Sequence, residues 1–192
     1  MNFWKRTLPL FAVMAILIAG GCAKNYRITQ ELEAPIDRIA IVTIGEIVDM
    51  LPEDFEEGKK PTTEQIEAFK SHLTEQLRNR EIFASVAYNE PDAQYVVEGS
   101  ILQFKKGSGL VRALIGFGIG SAKVTTELKL IRRAKSPEEQ DKVIFAGNFK
   151  QTVSDWKESG DKIFERIAKD FVKVLKKRMK KIQKEMDSEK ES

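Results

Sequence analysis

Few residues of this chain have the chemistry of a catalyst or of a metal ligand. Among its 192 residues, cysteine and histidine occur once each, as Cys22 and His72. A single cysteine excludes an intramolecular disulfide and a four-cysteine zinc site, and a single histidine leaves little for a histidine-based mechanism. His72 stands beside the apolar Leu73 on a predicted helix, and we interpret it as a solvated helix residue. We therefore expect no metal, no cofactor and no catalytic residue.

Carboxylates and hydroxyls offer no stronger candidate for catalysis. The acidic residues between positions 53 and 57 lack the spaced Asp, Asn and Gly of a calcium loop, so we interpret them as a solvated loop. No serine stands in a nucleophile-elbow context, and no histidine base accompanies one. An enzyme would need a carboxylate pair or a nucleophile in a cleft, and Glu98 and Glu127 are the first residues to test for that role.

Residues 107–120 form the most unusual segment, Gly-Ser-Gly-Leu-Val-Arg-Ala-Leu-Ile-Gly-Phe-Gly-Ile-Gly. A Walker A loop needs a lysine directly after its last glycine, and the dinucleotide fingerprint needs a third glycine at 121. The chain has Ser121 and Ala122 at those places. Both motifs fail, and we expect no nucleotide to bind.

Two interpretations of this glycine segment remain open. Glycine at every second position leaves one strand face without side chains, which suits a tightly packed turn into the next strand. If the segment is exposed, its apolar residues form a surface for a protein partner, a lipid or a second copy. The residues assigned to partner binding are Arg112, Leu114, Ile115, Gly116, Phe117, Gly118, Ile119 and Gly120.

The first 22 residues have the composition of a secretory signal. Lys5 and Arg6 precede an apolar run at 8–18 of about 11 residues, near half of the roughly 20 that a helix needs to span a bilayer. Three small residues, 19–21, follow and lead directly to Cys22. The alternative is a short buried helix with a chance cysteine. The segment resembles the lipobox of bacterial lipoproteins.

The lipobox resemblance implies a specific modification and a location. Residues 1–21 would be a signal peptide cut between Gly21 and Cys22, and residues 22–35 a tether whose Cys22 thiol carries a lipid with acyl chains such as palmitate. Two or three acyl chains anchor a protein durably, whereas one holds it only marginally. Because the next residue is Ala23 rather than Asp, the resemblance implies the outer membrane, with the protein facing the periplasm.

Composition and charge exclude several other classes of protein. Lys and Arg total 32 against 29 Asp and Glu, a formal charge of +3, which is too near balance for a dedicated nucleic-acid binder. Hydrophobic residues make up 42% and charged residues 32%, as in a globular domain. We expect no nucleic-acid partner.

The remaining pattern alternates strand and helix signals. We predict strands at 38–44, 82–88, 93–104, 122–131 and 142–153, and helices at 62–80 and 160–185. Thr62 and Gln65 match a capping box, and the period of two at 122–131 indicates a sheet with one wet face. The order β-α-β-β-β-β-α predicts an α+β fold, with one mostly antiparallel sheet and helices packed mainly on one face. This single domain would span 36–184, with a disordered tail at 185–192.

A basic run at the end of the last predicted helix is the remaining candidate surface. Six of the nine residues from Lys176 to Lys184 are cationic. Cations are favourable at the carboxyl end of a helix dipole, so we interpret the run as the solvent-exposed end of the helix. The alternative is contact with anionic lipid headgroups or with an acidic partner.

Three stretches resemble the bacterial lipoproteins of domain of unknown function 4410. They are residues 77–86, 92–101 and 112–124, and the most specific part is Arg-x-x-x-Gly-Phe-Gly-x-Gly at 112–120. The chain is more distantly similar to the curli secretion lipoprotein and to the amino-terminal domain of TolB. It departs from the family pattern at 133–140, where Arg133 and Pro137 replace an Asp and a Gly. The resemblance implies a fold and a location, and no chemistry.

Three functions from different classes follow. The favoured one is a non-enzymatic, lipid-anchored envelope lipoprotein whose periplasmic domain binds a protein partner or self-associates. The second is a structural subunit of an envelope secretion or export assembly. The third is an envelope enzyme acting on glycan or lipid.

Overall fold

The computed structural model describes residues 25–37, 39–55, 60–105, 121–153 and 160–190. Six strands and two helices follow one another along the chain. They are β1 (Tyr26–Gln30), β2 (Ile41–Asp49), α1 (Thr63–Asn79), β3 (Ser85–Tyr88), β4 (Tyr95–Lys105), β5 (Ala122–Arg132), β6 (Lys142–Val153) and α2 (Gly160–Lys190).

The strands form one mixed sheet in the order β1-β6-β5-β4-β2-β3. Strand pairs β1–β6, β5–β6 and β4–β5 are antiparallel, whereas β2 is parallel to both β3 and β4. Parallel neighbours need a crossover connection, which α1 provides between β2 and β3. The α+β prediction is confirmed, with a sheet that is mixed rather than wholly antiparallel.

The sheet begins earlier, and the last helix ends later, than the sequence predicts. Strand β1 lies within the segment expected to be a tether, where it pairs with β6 and the Tyr26 ring stacks on Phe149 at a centroid distance of 6.1 Å. Residues 185–190, expected to be disordered, continue α2 to Lys190. Five alternating residues in β1 are too short a signal to separate from a tether.

Strand β2 is displaced from its predicted position at 38–44. Gly45, expected to end the strand, lies inside it at an irregularity of the pairing with β4 between Ile44 and Ile47. A Cβ at Gly45 would lie 2.7 Å from Val96 Cγ1, so glycine here permits a close approach between strands. The strand continues to Asp49.

The capping box that begins α1 is confirmed. The Gln65 backbone N–H donates to the Thr62 hydroxyl at 3.4 Å, and the Thr62 backbone N–H donates to Gln65 Oε1 at 3.0 Å. These bonds satisfy two backbone donors that the first helical turn leaves without partners. From this start, the helix buries Phe69, Leu73 and Leu77.

Both helices cover the same face of the sheet, and phenylalanine rings join the layers. The Phe164 ring of α2 lies 4.9 Å from Phe69 of α1 and 6.3 Å from Phe104 of β4, centroid to centroid. Further along α2, the Phe171 ring lies 5.9 Å from Phe145 and 5.5 Å from Phe149, both of β6. All six rings are fully buried within one hydrophobic cluster.

The other face of the sheet, which we call the open face, carries polar residues. The predicted alternation of β5 is confirmed, because every second residue from Ala122 to Leu130 is buried and the residues between them are half-exposed. The open-face residues of β5 include Lys123, Thr125, Glu127 and Lys129. The sheet therefore has one dry and one wet face.

The two ends of the sheet differ in which chain segments meet there. The end at which β1 begins, which we call the entry end, also contains the last residue of β4, Lys105, opposite Lys123 of β5, and Ala122 opposite Val153 of β6. The opposite end, which we call the far end, contains the first residues of β2, β3 and β4 and the connection from β5 to β6.

Helices α1 and α2 lie side by side and run in the same direction. Their early turns meet through Phe69 and Phe164, and near their other ends Lys176 Nζ donates to the Arg80 carbonyl at 2.8 Å. A helix of 31 residues is about 46 Å long. Helix α2 therefore runs the length of the sheet and places the basic run at the far end.

Candidate functional site

Both segments singled out from the sequence lie outside the described residues. These are Cys22, with its cleavage neighbour Gly21, and the partner-binding residues from Arg112 to Gly120. The described residues that flank them nevertheless meet at one place. Lys150 N–H donates to the Asn25 carbonyl at 2.7 Å, and Lys105 and Ala122, which bound the connection between β4 and β5, lie at the same entry end.

A group of three lysines occupies the open face at the entry end. We call Lys105, Lys123 and Lys150 the entry lysines. Lys105 lies directly opposite Lys123 across β4 and β5, and Lys150 is a diagonal neighbour of Lys123, since it lies two residues from Thr152, the residue opposite Lys123. The described part of the chain supplies no ion-pair partner to any of the three.

Two large apolar side chains are exposed beside this end of the sheet. Met50 follows the last residue of β2 and is 62% exposed, and Leu102 in β4 is 40% exposed. The Met50 backbone N–H donates to the carbonyl of Ile101 at 3.1 Å, which places Met50 beside Leu102. The entry end thus combines cationic and apolar groups.

At the far end, a cleft of about 510 Å³ opens beside the connection from β5 to β6. Its lining comes from the segment before β2, from the start of β4 with the residues before it, and from the end of β5 with the residues after it. The cleft contains both cationic and anionic side chains. Its ligand could be an anion, which would bind the guanidinium of Arg132. The charged lining residues are Asp37, Asp92, Arg132, Arg133 and Lys135.

Arg133 and Arg132 have different roles in this cleft. Arg133 Nη1 donates to the carbonyl oxygens of Glu90 and Pro91, and its backbone N–H donates to the Gln94 carbonyl at 3.0 Å. Arg132 is exposed, and its guanidinium has no hydrogen-bond partner among the residues described. The departure from the family pattern at Arg133 therefore has a structural use, because this residue fixes the turn before β4.

The basic run of α2 lies at the far end, and parts of it hold the fold together. Lys176 donates to the Arg80 carbonyl, and Arg178 Nη2 lies 2.9 Å from Glu31 Oε1. Lys177, Lys180 and Lys184 are exposed. The run is a solvated helix end that is partly tied to neighbouring segments.

A hydrogen-bonded group links α1 to β3 on the surface. Glu67 accepts from Lys70 Nζ at 2.8 Å and from the Tyr88 hydroxyl at 2.7 Å. The Lys70 hydrogen bond, followed by that of Tyr88, lowers the pKa of Glu67 below its usual range. The same bonds to Glu67 raise the pKa values of Lys70 and Tyr88. Glu67 and Tyr88 are exposed and Lys70 is half-buried, and we assign this group a local structural role.

The remaining sequence candidates do not assemble into a catalytic site. Glu98 is exposed on the open face, and Glu127 on the same face pairs with Lys129 at 2.8 Å. Neither lines the far-end cleft. His72 is half-buried on α1. Across the described ranges, no three Asp, Glu, His or Cys side chains are grouped so that they could share a metal ion.

A helix that crosses a bilayer needs about 20 consecutive, predominantly apolar residues. Within the part of the chain that the structure describes, neither helix has a stretch apolar enough, over enough residues, to cross a bilayer.

The entry lysines and the far-end cleft are the features that sequence reasoning missed. Each lysine stands in a different strand, among ordinary alternating residues. Only the register of three strands brings them together, and a single sequence does not give that register. The one available signal was the period of two in β5, which places Lys123 on the wet face.

The fold defines the class of protein as an α+β domain in which two helices cover one face of a mixed sheet. A family model, domain of unknown function DUF4410, matches residues 36–154. The chain belongs to this family, and the resemblance predicted from the sequence is confirmed. The match ends before α2. No curated protein is similar enough to the chain to match it.

Solved structures with a similar fold have low sequence identity to this chain. A PelC dodecamer from Paraburkholderia phytofirmans has a TM-score of 0.51 at 16% identity, covering 76% of this chain and 96% of that one. A protein of the DUF330 family from Xanthomonas campestris has a TM-score of 0.50 at 10% identity, covering 82% of this chain and 95% of its own. At these identities the likeness shows the fold.

We predict that Arg133→Met destabilises the protein by about 1–2 kcal/mol, because the carbonyls of Glu90 and Pro91 lose their donor. The matched control is Arg132→Met, which removes the same charge from the same cleft and should change stability by less than about 0.5 kcal/mol. Urea unfolding followed by circular dichroism measures both values. Equal losses for the two variants would contradict the role assigned to Arg133.

Proposed function

We propose that this protein is a lipid-anchored lipoprotein of the bacterial cell envelope, with a non-enzymatic domain that binds a protein partner or self-associates. In this proposal residues 1–21 are a signal peptide, cleavage falls between Gly21 and Cys22, and Cys22 carries the lipid. The protein is held at the outer membrane and faces the periplasm.

The observation that carries the anchoring proposal is the hydrogen bond that fixes Asn25 to β6. Asn25, bonded to the end of β6, is three residues from Cys22, a distance of at most about 11 Å for an extended chain. The length of chain available for a free tether is therefore short. A lipid on Cys22 would hold the entry end of the sheet close to the bilayer and direct the far end away from it.

This arrangement separates the two ends by function. The far-end cleft and the basic run of α2 would face the periplasm, where they are accessible to soluble partners. A helix of about 46 Å would keep the last turns of α2 far from the anchoring membrane. Between the two interpretations of the basic run, the proposal therefore favours an acidic partner over the lipid of that membrane.

Self-association is the form of binding that the comparisons favour. The two PelC structures with a similar fold are both dodecamers, and assembly of this chain through the same fold would fit an envelope complex. In this proposal the residues from Arg112 to Gly120 form the contact between copies or with a partner. The secretion or export assembly is a special case of this proposal, in which the assembled copies form part of an export structure.

The non-enzymatic part of the proposal rests on the described side chains. Glu98 and Glu127 lie on an open sheet face rather than in a cleft, and the far-end cleft contains cations and carboxylates without a histidine or a cysteine. The family is a domain of unknown function. A binding role is the simplest use of such a surface.

We predict that cells fed an alkyne analogue of palmitate label the wild-type protein and do not label Cys22→Ser. The thiol of Cys22 is the acylation site, and Cys22→Ser should also retain residues 1–21, because cleavage depends on the modified cysteine. The readouts are click-chemistry labelling and the mass of the amino-terminal peptide in separated inner and outer membranes.

A double variant controls for the position of the thiol. Cys22→Ser with Thr152→Cys restores a cysteine at an exposed position and should stay unlabelled. Labelling of Cys22→Ser, or a wild-type chain that keeps residues 1–21, would contradict the lipid anchor.

The binding part of the proposal predicts a specific crosslink from the glycine segment. A photoreactive residue in place of Phe117 should give a discrete product in outer membranes of living cells, and a second copy gives twice the mass of the chain. The matched control is the same residue in place of Tyr88, an exposed aromatic far along the chain from this segment. Monomer alone from Phe117, or equal products from both positions, would contradict partner binding there.

A further inference from the structure

The open face at the entry end carries an unbalanced positive charge. Residues directly opposite each other in an antiparallel pair have Cβ atoms about 4.5–5.5 Å apart, and diagonal neighbours about 7–8 Å apart. Lys105 and Lys123 have the first relation, and Lys123 and Lys150 have the second. Three ammonium groups on flexible side chains can therefore converge on one area.

No carboxylate of the described residues neutralises this group. Glu127, on the same face of β5, is engaged with Lys129 at 2.8 Å, and Glu98 lies opposite Lys129, further from the entry end. Like charges directly opposite each other in a sheet are destabilising. A negatively charged surface placed against the entry lysines would attract each of them and offset their mutual repulsion.

Two apolar side chains limit which anionic surface fits. Met50 and Leu102 stand exposed at the same end, with Leu102 three residues before Lys105 in β4 and Met50 directly after β2. A purely polar anion would make no apolar contact with these two side chains, whereas a bilayer has charged headgroups and an apolar interior within a few ångströms of each other. Cationic and apolar residues side by side are the composition of a surface that lies on a membrane.

The proposed lipid on Cys22 would hold the entry end next to a membrane. With Cys22 lipidated, as proposed above, the bilayer surface lies within about 11 Å of Asn25. Strand β1 begins there, two strands from Lys123 and hydrogen-bonded to Lys150 through Asn25. The Debye length at physiological salt is about 8–10 Å, so Lys150, whose backbone is bonded to Asn25, would lie about one Debye length from anionic headgroups, with Lys123 and Lys105 on the next two strands.

We infer that the entry end is a membrane-docking surface. Lys105, Lys123 and Lys150 contact anionic phospholipid headgroups, and Met50 and Leu102 reach the boundary of the acyl chains. This inference rests on the proposed lipid anchor and adds to it a fixed orientation, in which the domain lies against the bilayer instead of swinging on its tether.

Lysine acetylation read by mass spectrometry tests the docking surface on the full lipidated chain. The protein is placed in vesicles of phosphatidylethanolamine and phosphatidylglycerol, in vesicles of phosphatidylcholine alone, and in detergent. We expect the acetylation rate of the entry lysines to fall about fivefold in the anionic vesicles, as each bound lysine gains the attraction of the surface. Far-end lysines Lys135, Lys142 and Lys177 should react equally in all three, and high salt should abolish the difference.

A pair of double variants isolates the role of charge. Lys105→Gln with Lys123→Gln leaves Lys150 as a reporter, and its protection should fall to the level seen in phosphatidylcholine. Lys135→Gln with Lys142→Gln removes the same charge from the far end and should leave the protection of Lys150 unchanged. Because the first variant removes a repulsion, loss of folding is not expected, and circular dichroism checks it.

The same digest separates failure of the docking surface from failure of the anchor. A peptide that begins at residue 22 without added lipid mass would overturn the anchor and the docking surface together. A lipidated peptide with unprotected entry lysines would overturn docking alone. Equal protection in detergent and in anionic vesicles would show that a second copy covers this face, and would also overturn docking.

Discussion

Six buried phenylalanine rings hold both helices to one face of the sheet, and the rest of the structure depends on this one-sided packing. Phe164 contacts rings of α1 and β4, and Phe171 contacts two rings of β6. Aromatic side chains bury large areas and pack in defined geometries, so they fix α1 and α2 side by side and in the same direction. Because the apolar residues of the strands are used on this face, the opposite face stays polar and accessible.

One-sided packing also gives the domain two chemically different ends. Both helices begin near the entry end, where β1 starts and the connection between β4 and β5 leaves the sheet. The far end holds the cleft, the turn fixed by Arg133 and the last turns of α2. Such an asymmetry suits an anchored protein, because the end next to the lipid meets the membrane while the opposite end stays accessible. The proposed lipid and the proposed docking surface both use the entry end, whereas the far-end cleft and the basic run stay accessible from the periplasm.

Local signals allowed much of the fold to be predicted, and long-range pairing accounts for the rest. The capping box at Thr62, the alternation in β5 and the span of β6 follow from patterns within about a dozen residues, and the structure confirms them. Strand β1 was missed because its five residues are stabilised by the edge of β6 rather than by their own pattern. Gly45 was mistaken for a strand end, although it permits a close approach to Val96. The entry lysines could not be predicted, since their neighbourhood exists only in the register of three strands.

An energy-transfer measurement tests the proposed orientation of the domain on its membrane. A fluorescent amino acid is incorporated at Thr152, at the entry end, or at Lys135, at the far end, in the lipidated chain, and the acceptor is a labelled lipid in the bilayer. Along β6, Thr152 lies ten residues from Lys142 at the far end, a distance of about 33 Å. We expect strong transfer from position 152 and weak transfer from position 135. Equal transfer from the two positions, or stronger transfer from position 135, would contradict it.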